Sequence, residues 1–242
     1  MLSMNDVFIS DFIEDVLAKI KNENINLLID LGCGTQPYKW QYNRYNFNII
    51  TADIEQRTLD LNLLTDSRAL PIIDNSVDVV IFSEVIEHVP NYEMSLSEIA
   101  RILKPEGYLI ITWPFIYQMH ECPNDFCRLT EYGMEKVLKK HNLTIEVLRR
   151  RGNLFSTLHV MFGSLFTGLC ELIRRVPYLG ILIHPFIKIL NKVLDLTYTG
   201  HARILRNSPS LNPKSVGANL NRISGTLALW TLGYCALVQK KK

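Results

Sequence analysis

From Arg149 onward the sequence is nearly free of acid: Glu171 and Asp195 stand against 14 lysines and arginines. The residues before it show the reverse, with 22 acids against 12 bases, so the net charge of +2 sums two opposed parts. An anionic partner is therefore implied for the C-terminal part alone. The bases there are interleaved with long aliphatic runs rather than with stacking aromatics, so no nucleic acid is expected. Cysteine is scarce: Cys33, Cys122, Cys127, Cys170 and Cys235 form an odd, scattered set. That excludes a disulfide framework and fits free thiols in a reducing compartment. Cys122 and Cys127 lie near His120, but the tighter cysteine pair and fourth ligand of a zinc site are missing, and no metal is expected. The first 21 residues carry Asp6, Asp11, Glu14 and Asp15 and lack the basic start and apolar centre of a secretory signal. A cytoplasmic location is the expectation. Repeats and low-complexity tracts are absent too.

What is present is enough apolar residue, 48% of 242, for a sizeable core. One α/β domain with a single elaboration fits that length. Phe8, Ile9, Phe12, Ile13, Val16, Leu17 and Ile20 recur at helical spacing and predict an opening amphipathic helix. Strands are predicted at Leu27–Ile29, ending on Asp30 and a glycine loop, at Phe47–Ala52, ending on Asp53, and at Val77–Phe82, ending on Ser83 and Glu84. A helix over Met94–Leu103 stops at Lys104-Pro105-Glu106-Gly107 before a strand over Tyr108–Trp113. A helix at Glu131–His141 and a strand at Leu143–Leu148 follow, and Gly233–Gln239 reads as the last strand. Strands alternating with helices imply a mostly parallel sheet covered on both faces.

An acid, a turn and two glycines directly after the first strand place a ligand loop at a strand's carboxyl end, where open α/β sheets bind nucleotides. Asp53, ending the second strand, offers two adjacent acceptor oxygens for a pair of ribose hydroxyls. A dinucleotide would call for Gly-x-Gly-x-x-Gly, but the third glycine position is occupied by Pro37, which bars tight helix packing. The run Asp30-Leu31-Gly32-Cys33-Gly34-Thr35 resembles the first motif of class I S-adenosylmethionine-dependent methyltransferases. Asp66-Ser67-Arg68-Ala69-Leu70-Pro71, Ser83-Glu84-Val85-Ile86-Glu87-His88-Val89 and the Leu103–Gly107 turn match further segments of that superfamily in order, across roughly residues 27 to 113. The resemblance implies S-adenosyl-L-methionine as cofactor, held by Asp30, Gly32, Cys33, Gly34 and Asp53, with Asp66 and Ser67 against the adenine and Ser83, Glu84 and His88 beside the methionine portion. It also implies a Rossmann-like, mostly parallel seven-stranded sheet with an antiparallel last strand. One departure stands out: 13 positions separate Asp53 from Asp66, too few for the usual helix between strands two and three. The adenine side should be open, and Asp60 competes with Asp66 for the contact.

Methyl transfer is an in-line displacement, so the chain must align a nucleophile and exclude water, and a hydroxyl nucleophile needs a base. The polar loop from Pro114 to Arg128 sits where an acceptor would enter. His120 is the preferred base, since an imidazole pKa near 6.5 suits proton abstraction near neutrality. Asp125 orients it or acts instead, while Tyr117 and Arg128 are candidate acceptor contacts, Arg128 for an anionic one. A loop ordered by internal hydrogen bonds with no catalytic member is the structural alternative. The same loop resembles the Pro-Phe…His-x-x-Pro-x-Asp-Phe-x-Arg stretch of methyltransferases of bacterial surface-polysaccharide biosynthesis. That implies a sugar hydroxyl of a glycan or lipid-linked glycan precursor as the acceptor.

Before the last strand, roughly 80 residues replace a short connection. Leu154–Ile173 is nearly uncharged and is long enough, at about 30 Å as a helix, to cross a bilayer, although Gly163, Gly168 and the Pro177 and Pro185 breaks around a second run at Tyr178–Leu190 suit a shallow hairpin better. Arg149–Arg151 and Arg174-Arg175 flank it, as anionic head groups would require. Peripheral attachment to the inner membrane face, a lid over the acceptor and a dimer face all remain open. The expected organisation is a cofactor-binding core at 1–152, a basic apolar helical insert at 153–225, and a closing strand and basic tail at 226–242. A catalytically silent membrane adaptor retaining the fold, or a methyltransferase of another small or lipidic acceptor, are the competing readings.

Overall fold

The computed structural model describes residues 4–21, 23, 25–174 and 230–242. Most of the expected insert, including the run at 178–190, lies outside the described residues. The described elements run α1 (Met4–Ile20), β1 (Leu27–Leu31), α2 (Lys39–Tyr42), β2 (Asn48–Asp53), β3 (Leu63–Leu64), β4 (Val77–Ser83), α3 (Tyr92–Ile102), β5 (Leu103–Pro114), α4 (Glu131–Lys140), β6 (Leu143–Arg151), α5 (Leu154–Arg174) and β7 (Gly233–Lys240), with a single 3-10 turn at Ile86–His88.

One seven-stranded sheet in the order β3-β2-β1-β4-β5-β7-β6 organises the chain. β1 pairs in parallel with β2 and β4, β2 with β3 and β4 with β5, whereas β7 runs antiparallel to both β5 and β6. This is the expected α/β arrangement with an antiparallel last strand. Strand order reverses between β1 and β4, so the loops leaving their carboxyl ends diverge and open a crevice there. β1 and β4 are buried along nearly their whole length, as strands covered on both faces must be. On one face α1 buries Ile9, Phe12, Ile13, Val16, Leu17 and Ile20 against Leu28, Val79, Ile81 and Ile110. On the other, Leu96, Ile99, Met134 and Leu138 from α3 and α4 pack on Ile29, Val80, Phe82 and Ile111.

Local chemistry sets the element ends. Asp78 anchors the start of β1 by accepting the N–H groups of Asn26 and Leu27 at 3.1 and 2.9 Å, and Lys104 Nζ neutralises it at 2.7 Å. Thr130 caps α4 by accepting the Gly133 N–H at 3.0 Å, and Asn153 does the same for Phe155 at the head of α5. The stop predicted at Lys104–Gly107 falls inside β5 instead: the strand begins at Leu103, and Glu106 at φ 67° makes an irregularity that the ladder absorbs between Val77 and Val79. Between β2 and β3 there is no helix, as the short Asp53–Asp66 spacing requires.

The expectation for Arg149–Arg151 needs correction. Arg149 pairs with Asp15 at 2.8 Å, Arg150 with Glu131 at 2.7 Å and Arg151 with Glu84 at 3.0 Å, so all three are engaged within the fold rather than presented to head groups. They lie on β6 next to the buried β7, and charges there are held only when paired. α5 does expose Phe155, Met161, Phe162 and Leu165, but among the described residues no helix is long and apolar enough to cross a membrane.

Gly233 opens β7 where a Cβ would sit 2.1 Å from Arg151 Nη2 and 2.4 Å from the Trp113 carbonyl oxygen, whereas a Cβ at Gly163 on α5 would meet nothing within 4 Å. Gly233→Ala should therefore lower stability by about 1–3 kcal/mol or more through overpacking, and Gly163→Ala should raise it by up to about 1 kcal/mol. Urea midpoints of the two variants moving in the same direction would contradict this packing.

Candidate active site

A cleft of about 760 Å³, its open mouth included, lies at the carboxyl ends of β1, β2 and β4. Gly32 and Gly34 border it from the loop after β1, Asp53 and Ile54 from the end of β2, Asp66, Ser67 and Arg68 from the segment after β3, and Glu84, Val85 and His88 from the segment after β4.

Each glycine has its own reason. Gly32 has φ 73°, and a Cβ there would approach Val85 Cγ2 to 2.4 Å, so close packing of two loops demands its absence. Gly34 has φ 52° with open space where a Cβ would point, and its N–H donates to Asp53 Oδ2 at 2.7 Å. Asp53 Oδ1 accepts the Glu55 N–H at 3.0 Å, so the carboxylate is held rigidly with lone pairs remaining on both oxygens. Asp66 holds Arg68 in a two-pronged pair, which keeps its carboxyl below the usual range. Asp60, the competing candidate, is engaged elsewhere by Lys39 and by Gln36 Nε2 at 2.9 Å. Exposed Ile54, at 62%, forms the open apolar edge that the missing helix leaves.

Glu84 is the most constrained group in the cleft. It sits at φ 52°, accepts the Thr112 hydroxyl at 2.9 Å, and faces the fully buried Arg151 guanidinium. Ser83, predicted beside it, turns to Thr112 at 2.9 Å and does not border the cleft. Asp30 and Cys33 also support the loop from behind. Asp30 is buried and accepts the Tyr42 hydroxyl at 2.9 Å. Burial raises its carboxyl to about 7, opposed by the Tyr42 hydrogen bond and helped by a smaller upward push from Asp53. Burial pushes the Cys33 thiol up to about 12, so it is no nucleophile at neutral pH.

The loop after β5 folds back over the Ile86–His88 turn, with the Phe126 N–H donating to the Glu87 carbonyl at 2.7 Å. It carries His120 to His88, ring centroids 4.8 Å apart, and Tyr117 to the other side of His120 at 5.5 Å. Asp125 Oδ2 lies 3.3 Å from His120 Nδ1 and accepts the His120 backbone N–H at 3.0 Å. Arg128 grips the same carboxylate, and this hydrogen-bonded pair lowers the Asp125 carboxyl to about 2. Arg128 is thus occupied by Asp125 rather than turned to the cleft. Predicted His120 and Asp125 are brought together beside cleft-lining His88. Glu87, Thr112 and Tyr42 were not singled out from sequence, and only Glu87, inside a matched motif, carried a local signal, while Arg151 was read as a head-group contact rather than as a partner of Glu84.

Comparisons with known proteins bear on this arrangement. Residues 29–111 match the family described as "Methyltransferase domain". Over 103 residues the chain is 32% identical to the ubiquinone/menaquinone biosynthesis C-methyltransferase UbiE of Blochmanniella pennsylvanica, covering 35% of this chain and 41% of that protein. The chain thus spans less than half the length of that relative. Among solved structures, an S-adenosylmethionine-dependent methyltransferase from Archaeoglobus fulgidus is similar over 96% of this chain and 94% of its own, with a TM-score of 0.53 at 12% identity. The [4+2]-cyclase SpnF is similar over 96% of this chain and 80% of its own, with a TM-score of 0.55 at 15% identity. At these identities the likeness is one of fold, and the fold carries more than one reaction.

Because the Asp30 carboxyl titrates near 3.8 when unfolded and near 7 when folded, folding takes up a proton between those values. Stability therefore falls as pH rises from about 4 to about 7, by on the order of 4 kcal/mol in full. Asp30→Asn keeps an acceptor for Tyr42 and removes that penalty. Its gain in Tm over the wild type should widen between pH 5 and pH 8; a gap independent of pH would refute the assignment.

Proposed function

We propose that this chain, whose residues 29–111 match a methyltransferase domain, transfers a methyl group from S-adenosyl-L-methionine to a hydroxyl-bearing small molecule. The observation that carries this reading is the cleft that joins Gly32, Gly34, Asp53, Asp66, Ser67, Glu84 and His88 at the strand-order reversal. Its residues fit the cofactor. Four carboxylates, Asp53, Asp66, Glu84 and Glu121, border it against two arginines, Arg57 and Arg68, each of which lies beside an acidic neighbour. That balance suits a cationic sulfonium. Bound S-adenosylmethionine supplies an electrophilic methyl carbon on a positively charged sulfur.

The chain's residues do the rest. Open space at Gly34 admits close backbone approach, and Asp53 receives ribose hydroxyls on its remaining lone pairs. Asp66 and Ser67 meet the adenine, and Glu84 and His88 meet the methionine portion. His120, steadied by Asp125, accepts the acceptor's hydroxyl proton, and the adjoining Tyr117 ring narrows the approach and limits water.

For the acceptor, the loop's Pro114–Arg128 pattern favours a sugar hydroxyl of a glycan or lipid-linked glycan precursor. A second reading is favoured by the 32% identity to a quinone-pathway C-methyltransferase: a phenolic ring whose ionised hydroxyl makes a ring carbon nucleophilic. Both begin with loss of a hydroxyl proton.

Calorimetric titration should show S-adenosylmethionine bound by the wild type, with Asp53→Ala weakening it about tenfold or more by removing a charge-assisted acceptor. His120→Ala should leave binding intact and abolish methyl transfer. Labelled methyl appearing in a glycan or in a dihydroxy-aromatic fraction separates the two acceptors. Binding with no transfer to either class would favour the silent adaptor, and absence of binding would overturn the reading.

A further inference from the structure

Two histidines and a glutamate on the cleft's flank are arranged in a way that proton abstraction does not need. Glu87 is 1% exposed, and neither carboxylate oxygen has a hydrogen-bond partner. A carboxylate buried like this, without a cation, is costly. Its Oε1 instead faces two imidazole nitrogens, His88 Nε2 at 3.7 Å and His120 Nε2 at 3.9 Å, both too far for a hydrogen bond. The other His88 nitrogen is committed. His88 Nδ1 lies 2.5 Å from the Asn124 carbonyl oxygen, which can only accept, so the proton resides on Nδ1 and the Nε2 lone pair points inward. His120 is held to the Asp125 carboxylate through its backbone N–H at 3.0 Å, while its Nδ1, 3.3 Å from Asp125 Oδ2, makes no hydrogen bond. Three potential ligand atoms therefore face one space.

We infer that Glu87, His88 and His120 form a binding site for one divalent transition-metal ion, with zinc or a neighbouring first-row ion as the chemical class. Two imidazoles and one carboxylate are a common set for such ions, and three protein ligands leave a position for an exogenous oxygen. A backbone carbonyl orients the His88 ring, as outer partners do at metal sites, and Asp125, itself held by Arg128, fixes the His120 backbone N–H. The ligand atoms lie within 4.8 Å of one another. Ligands on one tetrahedral ion sit about 3.3–3.5 Å apart, so each side chain closes in by roughly half an ångström to one ångström on loading. This departs from the expectation of no metal, which considered only Cys122, Cys127 and His120.

Because His88 also borders the cleft, the ion would stand at its wall, where an oxygen of a small molecule can complete the coordination. With the ion bound, His120 Nε2 serves as ligand rather than base, and a coordinated hydroxyl loses its proton to solvent because the ion lowers its pKa. The site itself does not depend on methyl transfer.

The test is direct. Full-length protein stripped with chelator is titrated with zinc against a chromogenic competitor, and with cobalt while its visible spectrum is followed. One equivalent of zinc and tetrahedral cobalt bands are expected. Asp125→Asn, which alters only a positioning residue, should weaken zinc about 10–100-fold. Glu87→Gln and His120→Ala should weaken it further, while S-adenosylmethionine titration and circular dichroism confirm that each variant folds. Cys122→Ser and Cys127→Ser should bind zinc as the wild type does. Unchanged zinc affinity in Glu87→Gln and His120→Ala, or its loss in either cysteine variant, would overturn the assignment, as would absence of stoichiometric binding. A failure of methyl transfer with zinc binding intact would count against the proposed function alone.

Discussion

The ion pair between Arg151 and Glu84 is the constraint on which the site depends. Arg151 ends β6, is fully buried, and reaches under the open backbone of Gly233 to meet Glu84 at 3.0 Å. Thr112 on β5 holds the other carboxylate oxygen. One pair thus ties together the carboxyl end of β4, the last residues of β5, the end of β6 and the start of β7. Removing one partner of such a pair leaves an uncompensated buried charge, at a cost of about 3–5 kcal/mol. Glu84 sits at φ 52°, a backbone state uncommon for a residue other than glycine.

That anchor sets the shape of the cleft's floor. With Glu84 fixed, Val85 lies against Gly32, and the loop after β1 must carry a glycine there. The next glycine leaves room for a ligand, and Asp53 pins it from the neighbouring strand. The turn beyond Val85 then delivers Glu87 and His88 to the loop after β5, where Asp125 and Arg128 hold His120. Acids gather on the cleft, and Arg151 of β6 neutralises one of them, Glu84, from beneath.

The periodicity of apolar residues made most of the fold legible. α1, the buried β1 and β4 and the closing β7 were all readable, because burial on one stripe or on two faces leaves a local pattern. The two-residue β3 and four-residue α2 were not, since elements so short carry no period. Lys104–Gly107 was misread as a stop for the opposite reason: proline and glycine mark both turns and strand irregularities, and only pairing with β4 distinguishes them.

Within the site, the glycine loop, Asp53 and the Ser83–Val89 run were legible in the sequence because each sits at a strand end that hydrophobic patterning locates, whereas Asp66 came from the motif resemblance alone. The sequence also identified His120 and Asp125 as a pair, since five residues of one loop can bring them together. Only the tertiary structure decided that Asp30, Cys33 and Ser83 stand behind the cleft, that Arg149–Arg151 each pair with an acid of the fold, Arg151 in full burial and Arg149 at the surface, and that Glu87 lies beside His88 and His120. Those outcomes turn on partners as distant in the chain as Asp15 and Arg149. A charge reads the same along a sequence whether it is solvated or buried, and packing alone supplies or withholds its counter-charge.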